Sequence, residues 1–255
     1  NPLELQDMYF FIYGGTTFQD ITCGYGNGNV HVDHHARAFL PNAFGGYDAN
    51  KVLSGSDGGV FYTANAQFGT GGSTTSNRPT FISLNQTIGS IELYSGDITA
   101  GFATAANPGA SAGAQDNGSE YARWPSGNQE PVQWTVRNGG DGIYTRIEPV
   151  NEQRWYYASQ NGAVVVSQTG PAGGTSNATP AQSGWGGDTL SFVFPFELYR
   201  YGELDVAGSG CSTNIGCSYM LGGTNRVWET LEGGIPRSSW YPNSPNLTKN
   251  TLGNR

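Results

Sequence analysis

Charge is scarce in this chain: Asp, Glu, Lys and Arg make up 13% of its 255 residues, about half of the roughly 25% usual in globular proteins. Basic residues are the scarcer kind. Twelve Lys and Arg face 20 Asp and Glu, a formal net charge of -8, and a surface of that sign repels phosphate backbones and anionic lipid, so neither nucleic acid nor a membrane surface is a favoured partner. No window of a dozen residues carries apolar positions at helical spacing without an intervening Gly or Pro, which predicts almost no helix. No apolar run approaches 18 residues, so no membrane span is expected. No basic segment leads into an apolar stretch and a small-residue cleavage site, and the start at Asn1-Pro2 without Met is read as a processed or truncated end.

Cysteine is also sparse, with three residues, Cys23, Cys211 and Cys217. The last two bracket the short polar stretch Ser-Thr-Asn-Ile-Gly, which a Cys211–Cys217 disulfide would close in an oxidising compartment. Cys23 is then left over and reads as a small buried apolar residue before it reads as a reactive thiol. Four N-x-S/T sequons, at Asn85, Asn117, Asn177 and Asn246, lie in polar stretches that would accommodate glycans. Together these features suit a secreted or cell-surface location.

What the chain has in excess is glycine, 39 residues, beside 14 Tyr, 12 Phe and 6 Trp. The aromatics supply enough bulky apolar surface for a core, and the glycines supply turns. Short strands joined by tight turns are therefore predicted, including residues 51–55, 60–63, 91–94, 132–136, 143–148, 155–158, 163–167, 196–199, 218–222 and 227–230. Hairpin turns fall at Ser56-Asp57-Gly58-Gly59, Gln115-Asp116-Asn117-Gly118, Ser159-Gln160-Asn161-Gly162 and, more weakly, Gly223-Thr224-Asn225-Arg226. Asp or Asn before Gly supplies the positive φ angles that such turns require. Successive turns lie roughly 45 to 64 residues apart, an irregular period of propeller-blade size.

In that order the pieces resemble the bacterial neuraminidase repeat and sortilin-like propeller superfamily. Tyr13-Gly14-Gly15-Thr16-Thr17-Phe18 resembles a worn Asp-box, followed by an outer strand at 19–22. His31-Val32-Asp33-His34-His35-Ala36 resembles the His-x-Asp-x-His segment that opens a blade. Residues 51–63 (KVLSGSDGGVFYT) resemble the central hairpin, continued by 115–118 and 138–142, and 223–248 resemble a further blade with an eroded box. The Asp of the box is missing from both copies. The resemblance implies an all-β propeller of four-stranded antiparallel blades: 1–26 as outer strands of a preceding blade, then blades at 27–88, 89–138, 139–195 and 196–255. About four blades and a partial one make either a small closed ring or a segment of a longer propeller. The apparent start in mid-blade favours the segment.

By analogy with that superfamily, the turn between a blade's second and third strands and the lead-in to its first strand open on one face. That would gather His31, Asp33, His34, Asp57, Asp116 and Asp141, with Gln115, Asn117 and Asn161 beside them as ligand-binding candidates. Such oxygen-rich groups suit a divalent cation such as calcium, and the His31, Asp33, His34 run suits zinc or another transition metal. Paired carboxylates are also what glycoside hydrolysis needs, which makes Asp57, Asp116 and Asp141 the catalytic candidates. Against this, Asp in Asp-Gly or Asp-Asn commonly caps its own turn. Alternation along a strand would put His31, Asp33 and His35 on one face and His34 on the other, in ordinary hydrogen-bonded packing. The arginines Arg37, Arg78, Arg123, Arg137, Arg146 and Arg154 form no recognisable triad, which argues against a sialidase. Trp124, Trp134, Trp155, Trp185, Trp228 and Tyr144 read as blade-to-blade core, with one or two available as a sugar-stacking platform. The expected function is an extracellular module that binds a glycan or protein, or assembles with further blades or copies of itself. A glycoside hydrolase and a sortilin-like receptor domain are the alternatives.

Overall fold

Among the described residues, glycine-punctuated hairpins make up most of the fold, and every sheet is antiparallel. The computed structural model describes residues 9–11, 18–20, 30–31, 33–66, 79–88, 91–125, 132–180 and 183–247; Cys23 lies outside them. The chain divides into two compact units, 1–90 and 91–255.

In the first unit β1 (Tyr9–Phe11) pairs with β2 (Phe18–Asp20). A four-stranded meander follows: β3 (His34–Pro41), β4 (Tyr47–Ser56), β5 (Gly59–Thr63) and β6 (Phe81–Ser83). Val52, Phe61 and Phe81 alternate onto one face of this sheet and meet Val30 and Ala66 in a small core, as period-two burial of a strand requires.

The second unit holds three more four-stranded meanders. The first is β7 (Leu93–Ile98), β8 (Gly109–Ala114), β9 (Gly118–Arg123) and β10 (Thr135–Asn138). The next is β11 (Gly142–Ile147), β12 (Trp155–Ser159), β13 (Ala163–Ser167) and β14 (Thr175–Asn177). One turn of helix, α1 (Ser183–Gly186), precedes β15 (Phe196–Leu198). A small hairpin of β16 (Cys211–Ser212) and β17 (Gly216–Cys217) comes before β18 (Met220–Gly223), β19 (Val227–Thr230) and β20 (Tyr241–Pro242), which complete the β15 sheet. All four expected hairpin turns form, and each joins the second and third strands of its sheet.

The β11–β14 sheet is covered on both faces. On β12, Trp155 and Tyr157 join Ile147 in one cluster that Tyr121 of β9 packs against. Tyr156 and Ala158 point the other way, into a larger core with Phe196, Met220, Trp185 and Trp228. The strand therefore reads as a continuous apolar run instead of an alternating one. Burial pushes the Tyr156 phenol up to about 12 and the Tyr157 phenol higher still, so both are neutral core groups at physiological pH. Of the tryptophans expected in the core, Trp155, Trp185 and Trp228 are buried, whereas Trp134 is 40% exposed.

Strand β8 is absent from the sequence-based expectation because Gly-Ala-Ser-Ala-Gly-Ala has low β-propensity. The packing explains its composition. Gly113 lies against the β11 backbone, where an added Cβ would come within 1.9 Å of the Ile143 carbonyl oxygen, and Ser111 Oγ bonds Thr145 Oγ1 at 3.0 Å. β10 begins three residues later than expected, and the short edge strands β14 and β20 were also not anticipated; Pro242 in β20 suits an edge.

Cys211 and Cys217 are disulfide-bonded and sit opposite each other in the β16–β17 hairpin. The hairpin is anchored by Glu148, fully buried, whose carboxylate accepts hydrogen bonds from the Cys217 (2.8 Å), Val150 (2.7 Å) and Asn151 (3.1 Å) amides. Three outcomes are expected in urea unfolding. Gly113→Ala should cost about 3 kcal/mol by overpacking, while Gly139→Ala, with nothing within 4 Å of the added methyl, should be neutral or slightly stabilising. The double substitution Cys211→Ser/Cys217→Ser should cost about 2 kcal/mol through the lost loop constraint.

Candidate functional site

In the first unit the Asp57-Gly58 turn is packed from two sides. His31 lies over Gly58, whose added Cβ would come within 2.3 Å of the His31 Cβ, and His35 Nε2 is hydrogen-bonded to Asp57 Oδ1. Asn85 closes the other side: its Oδ1 accepts the Val60 amide at 2.8 Å and its Nδ2 donates to the Gly58 carbonyl at 2.7 Å. The Asn85 sequon amide therefore faces the hairpin. His34 Nδ1 shares a hydrogen bond of 2.8 Å with buried Ser54 on β4. The expected alternation of His31, Asp33 and His35 along one strand does not form. Asp33 has φ 63, and the strand starts only at His34.

In the second unit the analogous turns are tied to the lead-in of the next sheet. Asp141, just before β11, accepts the Asp116 amide on Oδ1 at 3.0 Å, and its own amide donates to Gln160 Oε1 in the β12–β13 turn at 3.0 Å. The Asn161 amide donates to Phe192 O, ahead of β15, at 3.3 Å. Asp116 and Asn161 hold positive φ angles of 60 and 59, which the tight turns demand. Gln115 accepts the Tyr94 hydroxyl on Oε1, and Asn117 Nδ2 donates to the Gln115 carbonyl at 2.9 Å. Gln115, Asp116, Asn117, Asp141 and Asn161 thus share one end of this unit. Burial and the charges of Glu92, Asp141 and Asp116 raise the Tyr94 phenol. Of the remaining sequons, Asn117 and Asn177 are exposed and Asn246 is half-buried.

A charge network in the second unit was not anticipated, because its members are far apart in sequence. β11 is an edge strand, and its Thr145 and Ile147 amides donate to Ser95 Oγ (3.1 Å) and Asp97 Oδ2 (2.6 Å) on β7. Arg200 clamps Asp97 at 3.0 and 2.7 Å. Arg146 clamps Glu197 at 2.8 and 2.6 Å and lies over the Tyr144 ring at 5.2 Å. A third clamp holds Asp188, which accepts from Arg226 Nε at 2.9 Å, Thr224 Oγ1 at 2.6 Å and Trp228 Nε1 at 2.8 Å.

A groove of about 600 Å³ also escaped the sequence reading; it is lined by Glu197, Tyr199, Tyr201, Tyr219, Leu221 and Glu229, among others. The sequence signal for it is Glu229, which ends the Val227-Trp228 apolar pair of β19. No protein-family model and no curated protein matches this chain.

Burial favours the neutral forms of Asp188 and Glu197, but hydrogen bonds and charge from Arg226 and from Arg146 outweigh it and hold both carboxyls below their ordinary range. Groups lowered on folding add stability above the unfolded pKa, and lose it as pH falls through the folded one. Urea midpoints should therefore be flat from neutral pH down to about pH 5 and fall below it. Asp188→Asn should lower stability at pH 7 by about 2 kcal/mol and make the acid slope shallower.

Proposed function

We propose that this chain is a segment of an extracellular β-propeller built from neuraminidase-type repeats, working as a binding module for a glycan or protein ligand. The observation that carries the propeller reading is the bonding between successive first strands. In the second unit β7 holds β11 through Ser95 and Asp97, and Arg146 of β11 holds Glu197 of β15. First strands set side by side, each followed by an outward meander, are the geometry of blades around an axis. The chain of turn-to-lead-in bonds through Asp116, Asp141 and Gln160 supports the same reading. The disulfide fits an oxidising, extracellular setting.

A binding role is favoured over catalysis by how the candidate acids are used. Asp57 bonds His35, and Asp141 caps the Asp116 amide. A glycoside hydrolase is the second reading, favoured by the closeness of Asp116 and Asp141, since two carboxylates in reach of one substrate are what that chemistry requires. The test is affinity electrophoresis of the full chain in gels containing soluble polysaccharides, with reducing ends measured after prolonged incubation. Retardation without new reducing ends is expected. Release of reducing ends that disappears in Asp116→Ala and Asp141→Ala would establish the hydrolase instead.

A further inference from the structure

The groove on the outer face of the β15–β18–β19–β20 sheet follows from strand alternation. Phe196, Leu198, Met220, Trp228 and Thr230 are buried on the inner face, which sends Glu197, Leu221 and Glu229 to the outer one. Register sets their spacing. Glu197, Leu221, Glu229 and Tyr241 stand directly opposite one another on successive strands, so the two glutamate backbones are about 10 Å apart. The Tyr199 amide donates to the Tyr219 carbonyl at 2.8 Å, extending the pairing one row further. Tyr201, 86% exposed, stands edge-on to Tyr199 with ring centroids 6.1 Å apart. The result is a trough with a tyrosine wall, a leucine floor and a carboxylate on each side, within the roughly 300–1,000 Å³ range of ligand pockets.

Resting on the binding-module reading, we infer that this groove takes the pyranose rings of an uncharged oligosaccharide. Tyrosine rings offer an apolar platform with a polar tip, which matches the C–H face and hydroxyl rim of a sugar, and carboxylates accept hydroxyl hydrogen bonds. Charge narrows the class. Arg200, which also lines the groove, pairs with both Asp97 and Glu197, and Arg146 pairs with Glu197, so these two arginines and two carboxylates balance; Glu229, held by the neutral amide of Asn243, leaves the trough net acidic, which disfavours uronates and sialates. Its make-up also differs from the faces that meet other sheets in this unit. Those carry Gly113, Ile143, Tyr156 and Val166, whereas covering Glu229, held by the Asn243 side-chain amide, would bury a carboxylate without the three backbone amides that satisfy Glu148.

The experiment is calorimetric titration of the full chain with cellohexaose and chitohexaose as neutral probes and hexagalacturonate as the anionic one. At least one neutral hexamer should bind, more tightly than hexagalacturonate. Tyr199→Ala and Glu229→Gln should each weaken it about tenfold, roughly 1.4 kcal/mol. Tyr201→Ala, at a site too exposed to affect folding, should weaken it too, and matching melting temperatures would show all three variants folded. Preference for hexagalacturonate, absence of binding to every hexamer, or neutral-sugar affinity unchanged in the three variants would overturn the assignment. Unchanged affinity leaves the module reading standing, whereas failure of that reading is seen separately, as release of reducing ends.

Discussion

An edge strand whose outward amides must find partners is the constraint on which the second unit depends. β11 ends its sheet, so Thr145 and Ile147 present N–H groups that no strand of that sheet can accept. Ser95 and Asp97 accept them with side chains, and this places β7 beside β11 without merging the two sheets. Asp97 can serve because Arg200 offsets its charge in a position where its side chain is only 9% exposed. One carboxylate therefore links β7, the β11 backbone and the segment after β15.

Close approach follows from the same arrangement. With β7 and β11 adjacent, β8 comes against the β11 backbone, and only small residues fit there. Gly113 and Ser111 meet that demand, at the expense of β-propensity. Elsewhere in the unit the space between sheets is filled by Trp155, Tyr156, Trp185 and Trp228. This division, small residues where strand backbones meet and large aromatics where sheet faces meet, is a packing requirement. It accounts for a chain rich in both kinds of residue and poor in charge.

Polar side chains occupy two kinds of position. Turn residues such as Asp141 and Asn85 spend their polar groups on holding hairpins and lead-ins together, which suits a rigid scaffold. The outer face of the last sheet instead presents tyrosines and glutamates that no core contact requires. Glu197 belongs to both, since one oxygen pair answers Arg146 while the side chain remains 59% exposed at the groove.

The sequence by itself determined the all-β class, the four hairpin turns and the Cys211–Cys217 bridge. These are local properties, set by Asp-Gly and Asn-Gly backbone preferences, by short apolar runs and by the closeness of two cysteines. Strand β8 was hidden, because a strand selected for thinness lacks the branched residues by which strands are read. Only the tertiary structure decided that Asp97 meets Arg200, that Arg146 meets Glu197, and that Glu197, Leu221 and Glu229 form one row. Apart from Leu221 and Glu229, which share a hairpin, those pairings join residues far apart in the chain, and no local pattern encodes which distant strands meet.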